Sequence, residues 1–347
     1  MMPKISIILP IFNVEKYLDK CLETVTEQTL TDIEIICVID KSPDNSIEIC
    51  KRFQAKDKRI SIIEKTANEG LGFTRNTGIS YATGEYIAFI DSDDYVDRDM
   101  FKNLYEYAEE HNLDGCFCNY INDLGNNRFS PTREPSEPFV CERREKVIEY
   151  MLDMVGPLPD YPTDVKHVVS VWRGIYSADI IKKNNILFES ERNNASEDMP
   201  FNMDFFSHAE RIGYIPFVGY YYRYNPISLS RGYTHKKFLC YMNLMNEVKQ
   251  RLEKVCTEQQ YKLHYQRCLY YYFRTIIKYE SIKNIDGKRF SNILKRCKDK
   301  HLEYVFKDYP YWKLPLKHKV FYISMKYKIV PLLYVLCILE NKIRRNI

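Results

Sequence analysis

The densest chemistry in the chain is Asp91-Ser92-Asp93-Asp94, three carboxylates in four residues, set directly after the apolar run Tyr86 to Ile90. Carboxylates this close at the end of a strand repel one another unless a cation neutralises them. Hard oxygen donors of this kind suit Mg²⁺ or Mn²⁺, which take one or two carboxylates and complete their shells with water and substrate phosphates. The tetrad therefore points to a diphosphate substrate, the plainer alternative being a solvated acidic turn in which Asp94 caps the next helix. An EF-hand is excluded, because Tyr95 and Val96 stand where a third oxygen ligand and a glycine belong. Two further acidic groups are Asp40 with Asp44 in DKSPD and Glu197-Asp198 in NASEDMPF. Taken alone, the second reads as an acidic first helical turn favoured by the macrodipole.

These groups need elements to hold them. Ile5 to Leu9, Ile33 to Ile39, Ile60 to Ile63 and Tyr86 to Ile90 are rich in isoleucine and valine without strict polar alternation. That pattern predicts parallel strands covered on both faces, and so an α/β fold. Between the first two, Tyr17, Leu18, Cys21, Leu22 and Val25 recur at helical spacing after Asn13, a suitable N-cap. Ligands of such open sheets lie beyond the carboxyl ends of the strands, where Pro10-Ile11-Phe12-Asn13, Asp40 and Asp91 to Asp94 fall. A helix over 99–111 follows, then a Pro- and Asn-rich connection over 122–162 with one helical stretch near 145–154. HVVSVW (167–172) and GYYYRY (219–224) look strand-like, and 236–309 is helical in pattern.

Composition narrows the classes. Apolar residues at 45% and charged residues at 28% are ordinary globular usage, and a net charge of +4 over 347 residues gives no concentrated basic face for nucleic acid. Eleven cysteines without CxxC spacing, behind an N-terminus that starts a strand and carries no signal sequence, read as reduced thiols in a cytoplasmic protein. The run Ile329 to Leu339 is interrupted by Pro331 and is shorter than the roughly 20 residues a membrane span needs. From Trp312 onward, Lys313, Lys317, Lys319, Lys326, Lys328, Lys342, Arg344 and Arg345 face one acid, Glu340. With Phe321, Tyr322, Met325, Ile329 and Leu332 to Leu339, residues 312–347 suit a segment lying on an anionic membrane surface, or else a basic helix docked on the body. A nicotinamide dehydrogenase is excluded, since IFNVEKY lacks the glycine-rich turn.

Three ordered segments, SIILPIFNVEKYLDKCLETVTEQTL, EIICVIDKSPDNS and NEGLGFTRNTGISYATGEYIAFIDSDDYVD, resemble glycosyltransferase family 2, the inverting GT-A class. WRGIYSADIIKKNNILFESERNNASEDMPFNMDFF and YYYRYNPISLSR extend the resemblance to about residue 233, toward bacterial members that build surface polysaccharides. The resemblance implies a GT-A type, mostly parallel nucleotide-binding sheet flanked by helices. Residues 1–121 would form the nucleotide-sugar half, 122–233 the acceptor half, and 234–347 a helical C-terminal region. Pro10 and Phe12 would line the uracil and ribose pocket with Asp40, which accepts a hydrogen bond from the base. Where the family pattern reads VDDGSTD this chain has Ile39 for the first acid and Lys41 for the glycine.

By the same resemblance Asn68 and Arg75 lie near the nucleotide. Arg75 would offset diphosphate charge with its permanently charged fork, a helix-surface ion pair being the alternative. Asp93 holds Mn²⁺ or Mg²⁺, and Asp91 and Ser92 sit toward the ribose and the metal shell. Asp198 removes the proton of the acceptor hydroxyl. The implied reaction moves a sugar from a UDP-sugar to a glycan or lipid-linked oligosaccharide, on the inner face of the cell membrane. Gly78 and Gly84 are expected to serve packing and a turn. Trp172, Arg173 and Tyr220 to Tyr224 belong to the acceptor cleft or to the core, and His235 would approach the donor phosphates. The competing readings are a nucleotidyltransferase, which would want a glycine-rich basic loop after its first strand, and a non-catalytic sugar-nucleotide or glycan-binding protein, which would have lost Asp93 or Asp198.

Overall fold

The computed structural model describes residues 2–132, 135–225, 235–283 and 287–345. The chain forms two compact units, Met1–Met151 with Val169–Arg231, and Leu152–Val168 with Gly232–Ile347.

The first unit is built on a sheet. Its opening elements are β1 (Ile5–Ile11), α1 (Glu15–Thr26), β2 (Ile33–Ile39), α2 (Ser46–Gln54), β3 (Ile60–Glu64), α3 (Leu71–Tyr81) and β4 (Tyr86–Phe89). Next come β5 (Tyr95–Val96), α4 (Met100–His111), β6 (Gly115–Asp123), β7 (Phe129–Pro131), β8 (Phe139–Cys141) and α5 (Arg144–Val155), whose residues from Leu152 on belong to the second unit. Then follow β9 (Gly174–Ser177), α6 (Ala178–Lys183), α7 (Asp198–Phe206) and β10 (Ile212–Arg223). The strand order is β3-β2-β1-β4-β9-β6-β10-β5, with β7 beside β6 and β8 beside β10. The first four strands are parallel, in a register that sets Ile5 opposite Ile33 and Tyr86. Every residue of β1 and β4 is buried, which is why their sequences show no polar alternation. Beyond β4 the sheet is mixed: β9 runs antiparallel to both β4 and β6, while β6 and β10 are parallel. Helix α1 covers one face through Leu18, Cys21, Leu22 and Val25.

Two local expectations are corrected. Asn13 is not the N-cap of α1: it adopts φ 56°, Val14 precedes the helix, and the Asn13 N–H donates to Ser42 Oγ at 2.8 Å. Asparagine tolerates the left-handed region, so its polar side chain marked a turn one residue early. HVVSVW is not a strand. Val171–Arg173 makes a single 3₁₀ turn and the strand comes after it, as β9. Trp172 explains the detour: it is buried, with its ring stacked on Tyr220 at 4.1 Å and on Tyr222 at 5.6 Å between centroids. The aromatic run of β10 is thus core packing at this point.

Gly78 lies where α3 crosses β1. A Cβ there would sit 2.3 Å from Cγ2 of Ile8, a branched side chain locked in the sheet. Gly78→Ala should therefore lower stability by about 1–3 kcal/mol, the usual range for overpacking, measured as a lower denaturant midpoint at unchanged m-value. An unchanged midpoint would show that β1 yields at no cost. Gly84 is likewise fixed by close approach, its N–H donating to Ser6 Oγ at 2.8 Å.

The second unit is helical, with α8 (His235–Val255), α9 (Glu258–Lys283), α10 (Arg289–Cys297), α11 (Lys300–Asp308), α12 (Leu316–Lys326) and α13 (Val330–Arg345). Helix α9 supplies the spine, burying Leu269, Phe273, Ile276 and Ile277. Asp164 is paired within this unit to Arg267, Arg274 and His318. The tail differs from expectation in its inward face. Phe321, Tyr322 and Met325 are buried in the helical core, and the exposed apolar residues are Trp312, Leu316, Tyr327, Ile329, Leu332, Val335 and Leu339. No helix among the described residues is long and apolar enough to cross a membrane. The segment Ser228-Leu229-Ser230-Arg231 and the side chain of His235 lie outside the described residues.

Candidate active site

At the carboxyl ends of β1, β2 and β4, the sequence-predicted groups come together around the start of α3. Gly70 precedes that helix with φ 97°, a conformation suited to glycine. The turn before it is clasped by Asp40. Both carboxylate oxygens of Asp40 accept backbone N–H groups, from Glu69 at 2.9 Å and Gly70 at 2.8 Å, and Lys65 Nζ lies 3.3 Å away. Asp40 is buried, and Asn68 Nδ2 donates to its carbonyl at 3.2 Å. Lys41 then takes φ 52°. The backbone keeps the left-handed turn that a glycine would adopt without strain, and lysine tolerates it at a cost of about 1–2 kcal/mol. The Pro10 carbonyl accepts a hydrogen bond from Ser92 Oγ at 2.6 Å, tying the end of β1 to the acidic tetrad. Phe12 stands beside it with 46% of its surface exposed, a ring available to a flat ligand.

The centre is Arg75, 1% exposed at its side chain. Its Nη2 donates to Asp91 Oδ1 at 2.7 Å, and its Nη1 to Glu197 Oε1 and Asp198 Oδ1, both at 2.9 Å. Phe188 lies under the guanidinium, 5.1 Å from Cζ to ring centroid. One guanidinium thus joins the end of β4 to the first turn of α7, and its charge acts first on carboxylates. Three acids around one cation leave a net negative cluster. The partners respond in opposite senses: Arg75 is held cationic against its burial, whereas burial and then Glu197 push the Asp198 carboxyl well above the usual range in spite of Arg75. The cluster thus raises the proton affinity of Asp198, whose side chain retains 16% exposure through which to exchange a proton.

Asp93 and Asp94 divide the remaining work. Asp94 is not a helix cap. It is buried and accepts Tyr220 Oη and the Arg223 N–H, both at 2.7 Å, so it fastens β10 to the tetrad. Asp93 accepts Asn225 Nδ2 at 2.9 Å, and burial, then Asp91, raises its carboxyl above the ordinary value. Among the described residues no group of three or more His, Cys, Asp or Glu side chains is arranged to enclose a metal ion. The donor set fits a shared ion better than an enclosed one: two hard carboxylates at one strand end, already in mutual repulsion, suit Mg²⁺ or Mn²⁺ whose other ligands come from substrate phosphates.

Sequence reasoning missed Glu191, Arg192 and Asn225. Glu191 Oε2 accepts the Gly72 N–H at 3.2 Å, and Arg192 Nη2 donates to the Asn68 carbonyl at 3.1 Å. These partners are more than a hundred positions apart in the chain, so no local pattern marks them.

An open α/β sheet with acidic groups gathered at its strand ends is a fold shared with known proteins. A model of glycosyl transferase family 2 matches residues 6–161. The chain is 37% identical over 236 residues to the uncharacterized glycosyltransferase EpsJ of Bacillus subtilis, covering 66% of this chain and 64% of that protein. It is 31% identical to the uncharacterized glycosyltransferase YibD of Escherichia coli, covering 81% of this chain and 78% of that one. The match thus spans slightly less than two thirds of EpsJ. The crystal structure of residues 1–349 of Staphylococcus aureus TarS in complex with UDP-GlcNAc superposes with a TM-score of 0.70 at 21% identity, covering 99% of this chain and 92% of that one. This is the same fold. The chain belongs to glycosyltransferase family 2.

Proposed function

We propose that the protein transfers a sugar from a nucleotide-sugar donor, a UDP-sugar, to a hydroxyl of a glycan or lipid-linked acceptor, with inversion at the anomeric carbon, in bacterial surface polysaccharide synthesis. The observation that carries this reading is the bridge through Arg75, which holds Asp91 on the donor side and Asp198 on the acceptor side of one rigid fork. TarS, a poly(ribitol-phosphate) beta-N-acetylglucosaminyltransferase with a UDP-GlcNAc complex, supports the choice of donor and polymer class.

In the reaction the acceptor oxygen forms a bond to the anomeric carbon as the bond to the diphosphate breaks, and attack comes from the face opposite the leaving group. Asp198 takes the hydroxyl proton, and its raised proton affinity suits that role. Arg75 keeps Asp198 oriented and the cluster from carrying its full negative charge. Pro10, Phe12, Asp40 and Asn68 form or support the wall for base and ribose, with Asp40 acting through the 69–70 turn it clasps. Asp93 and Asp91 would hold Mn²⁺ or Mg²⁺, which supplies charge neutralisation to the departing diphosphate. Incubation of the purified protein with Mn²⁺ and a panel of UDP-, GDP- and dTDP-sugars should release nucleotide from a UDP-sugar and raise the melting temperature with it. Release and stabilisation by GDP- or dTDP-sugars alone would refute the UDP preference, and silence toward all three would refute the transferase reading.

The tail supports a peripheral membrane location. Leu332, Val335 and Leu339 are exposed at one-face spacing on α13, near the exposed Tyr327, Lys328 and Lys342. Replacing all three by Glu should weaken binding to phosphatidylglycerol vesicles by at least about tenfold. The melting temperature should hold, because the three side chains are outside the core. Undiminished vesicle binding would assign these residues to another surface.

A further inference from the structure

The helical unit contains a groove of about 370 Å³ that the proposed reaction does not use. One wall is a stripe of α9, where Tyr271, Arg274, Lys278, Tyr279 and Lys283 fall at helical spacing; the other is α13, through Glu340. Its charge is unbalanced. Glu340 is already shared between Lys278 at 3.4 Å and Lys317 at 2.8 Å, and Asp164, which pairs Arg274, also serves Arg267 at 3.4 Å. Burial lowers His318, beside Asp164, to a pKa of about 4, so it brings no proton of its own at neutral pH. Among the described residues that line the groove, three cations, Arg274, Lys278 and Lys283, therefore stand against one acid, Glu340.

Partly desolvated walls with an excess of one sign attract the opposite sign more strongly than open surface does. Tyr271, whose hydroxyl burial keeps protonated, and Tyr279 add phenol donors and flat rings, while Thr275 and Asn341 add neutral hydrogen-bonding groups. The cations fit an anion with several acceptor oxygens; the rings and neutral groups fit a hydroxylated carbon chain attached to it. The volume is at the small end of ligand sites. We propose that this groove is a binding site for a phosphate group carried on a sugar or polyol, held by Lys278, Lys283 and the tyrosine hydroxyls. The inference stands on this unit alone and does not require the transfer reaction.

The test uses the full chain at low ionic strength with two probes: glycerol 3-phosphate, a phosphomonoester, and glycerophosphoglycerol, the soluble phosphodiester of a lipid headgroup or polyol-phosphate strand. Glycerol is the neutral control. Calorimetric titration should show saturable binding of at least one phosphate probe and none of glycerol, and the tighter probe names the source. Lys278→Gln combined with Lys283→Gln should weaken it by about tenfold or more. The charge-matched pair Lys20→Gln with Lys51→Gln, on exposed helix surfaces elsewhere, should leave it unchanged. Arg274 is spared because its ion pair with Asp164 is structural. Failure of both probes to bind overturns the proposal, and so does equal weakening by the two lysine pairs.

Discussion

Asp198→Asn should lower sugar transfer by about 10² to 10⁴, the range expected for loss of a general base, while donor affinity and metal affinity should stay close to those of the parent protein. The substitution keeps the shape of the side chain and leaves Asp91 and Glu197 on Arg75. It removes the charge that faces Arg75 Nη1 and the basic oxygen proposed to receive the acceptor proton, while an amide oxygen can still accept from the guanidinium. The sign of the stability effect follows from the same electrostatics. A carboxyl whose folded pKa lies above its unfolded value contributes stability at low pH that is lost as pH rises through the folded pKa. Ionising Asp198 therefore costs the fold, and the uncharged amide should be as stable as the parent or more so. The parent's pH profile should show an acid limb above the ordinary carboxylate range, since the base works only when ionised. Normal transfer by Asp198→Asn with a dead Glu197→Gln would exchange the two roles.

Asp93→Ala should be as damaging, and by a different route. Loss of the proposed ligand to Mn²⁺ or Mg²⁺ would remove several kcal/mol of stabilisation of the departing diphosphate, which corresponds to about 10² to 10³ in rate. Excess metal should recover little of it. The folded protein should not suffer: burial and Asp91 raise the Asp93 carboxyl, so at neutral pH its charge is a liability in the fold that the substitution relieves. An inactive protein with an unchanged or higher melting temperature is the expected signature. Near-parental rates in the presence of a chelator would remove the metal from the mechanism.

Much of this architecture was legible because its signals are local. The isoleucine-dense runs named β1 to β4, and the position of Asp91 to Asp94 after one of them placed the tetrad at a strand end. The rest depends on partners distant in sequence. Nothing near Arg75 reveals that its fork is taken by Glu197 and Asp198, and nothing near Asp94 reveals Tyr220. The strand β9 enters the sheet antiparallel because it finds β4 and β6, whereas the β-branched residues before it look more strand-like and serve to seat Trp172. In the tail, α12 and α13 carry apolar residues on more than one side. Periodicity alone therefore left open whether Phe321, Tyr322 and Met325 or the stripe with Leu332 and Val335 turns inward.

The sheet order also constrains synthesis of the chain. Residues 95–96 form the edge strand β5, whose only strand neighbour among the described residues is β10, ending at Arg223. Arg75 likewise meets two of its three acids only at positions 197 and 198. A ribosome that has released the first hundred residues has therefore delivered β1 to β4 with a buried-to-be arginine still short of partners and a sheet edge still open. Such non-local pairing delays folding until the later strands emerge. The amino-terminal segment expressed by itself should behave as a chaperone-dependent, aggregation-prone fragment until the chain extends past β10.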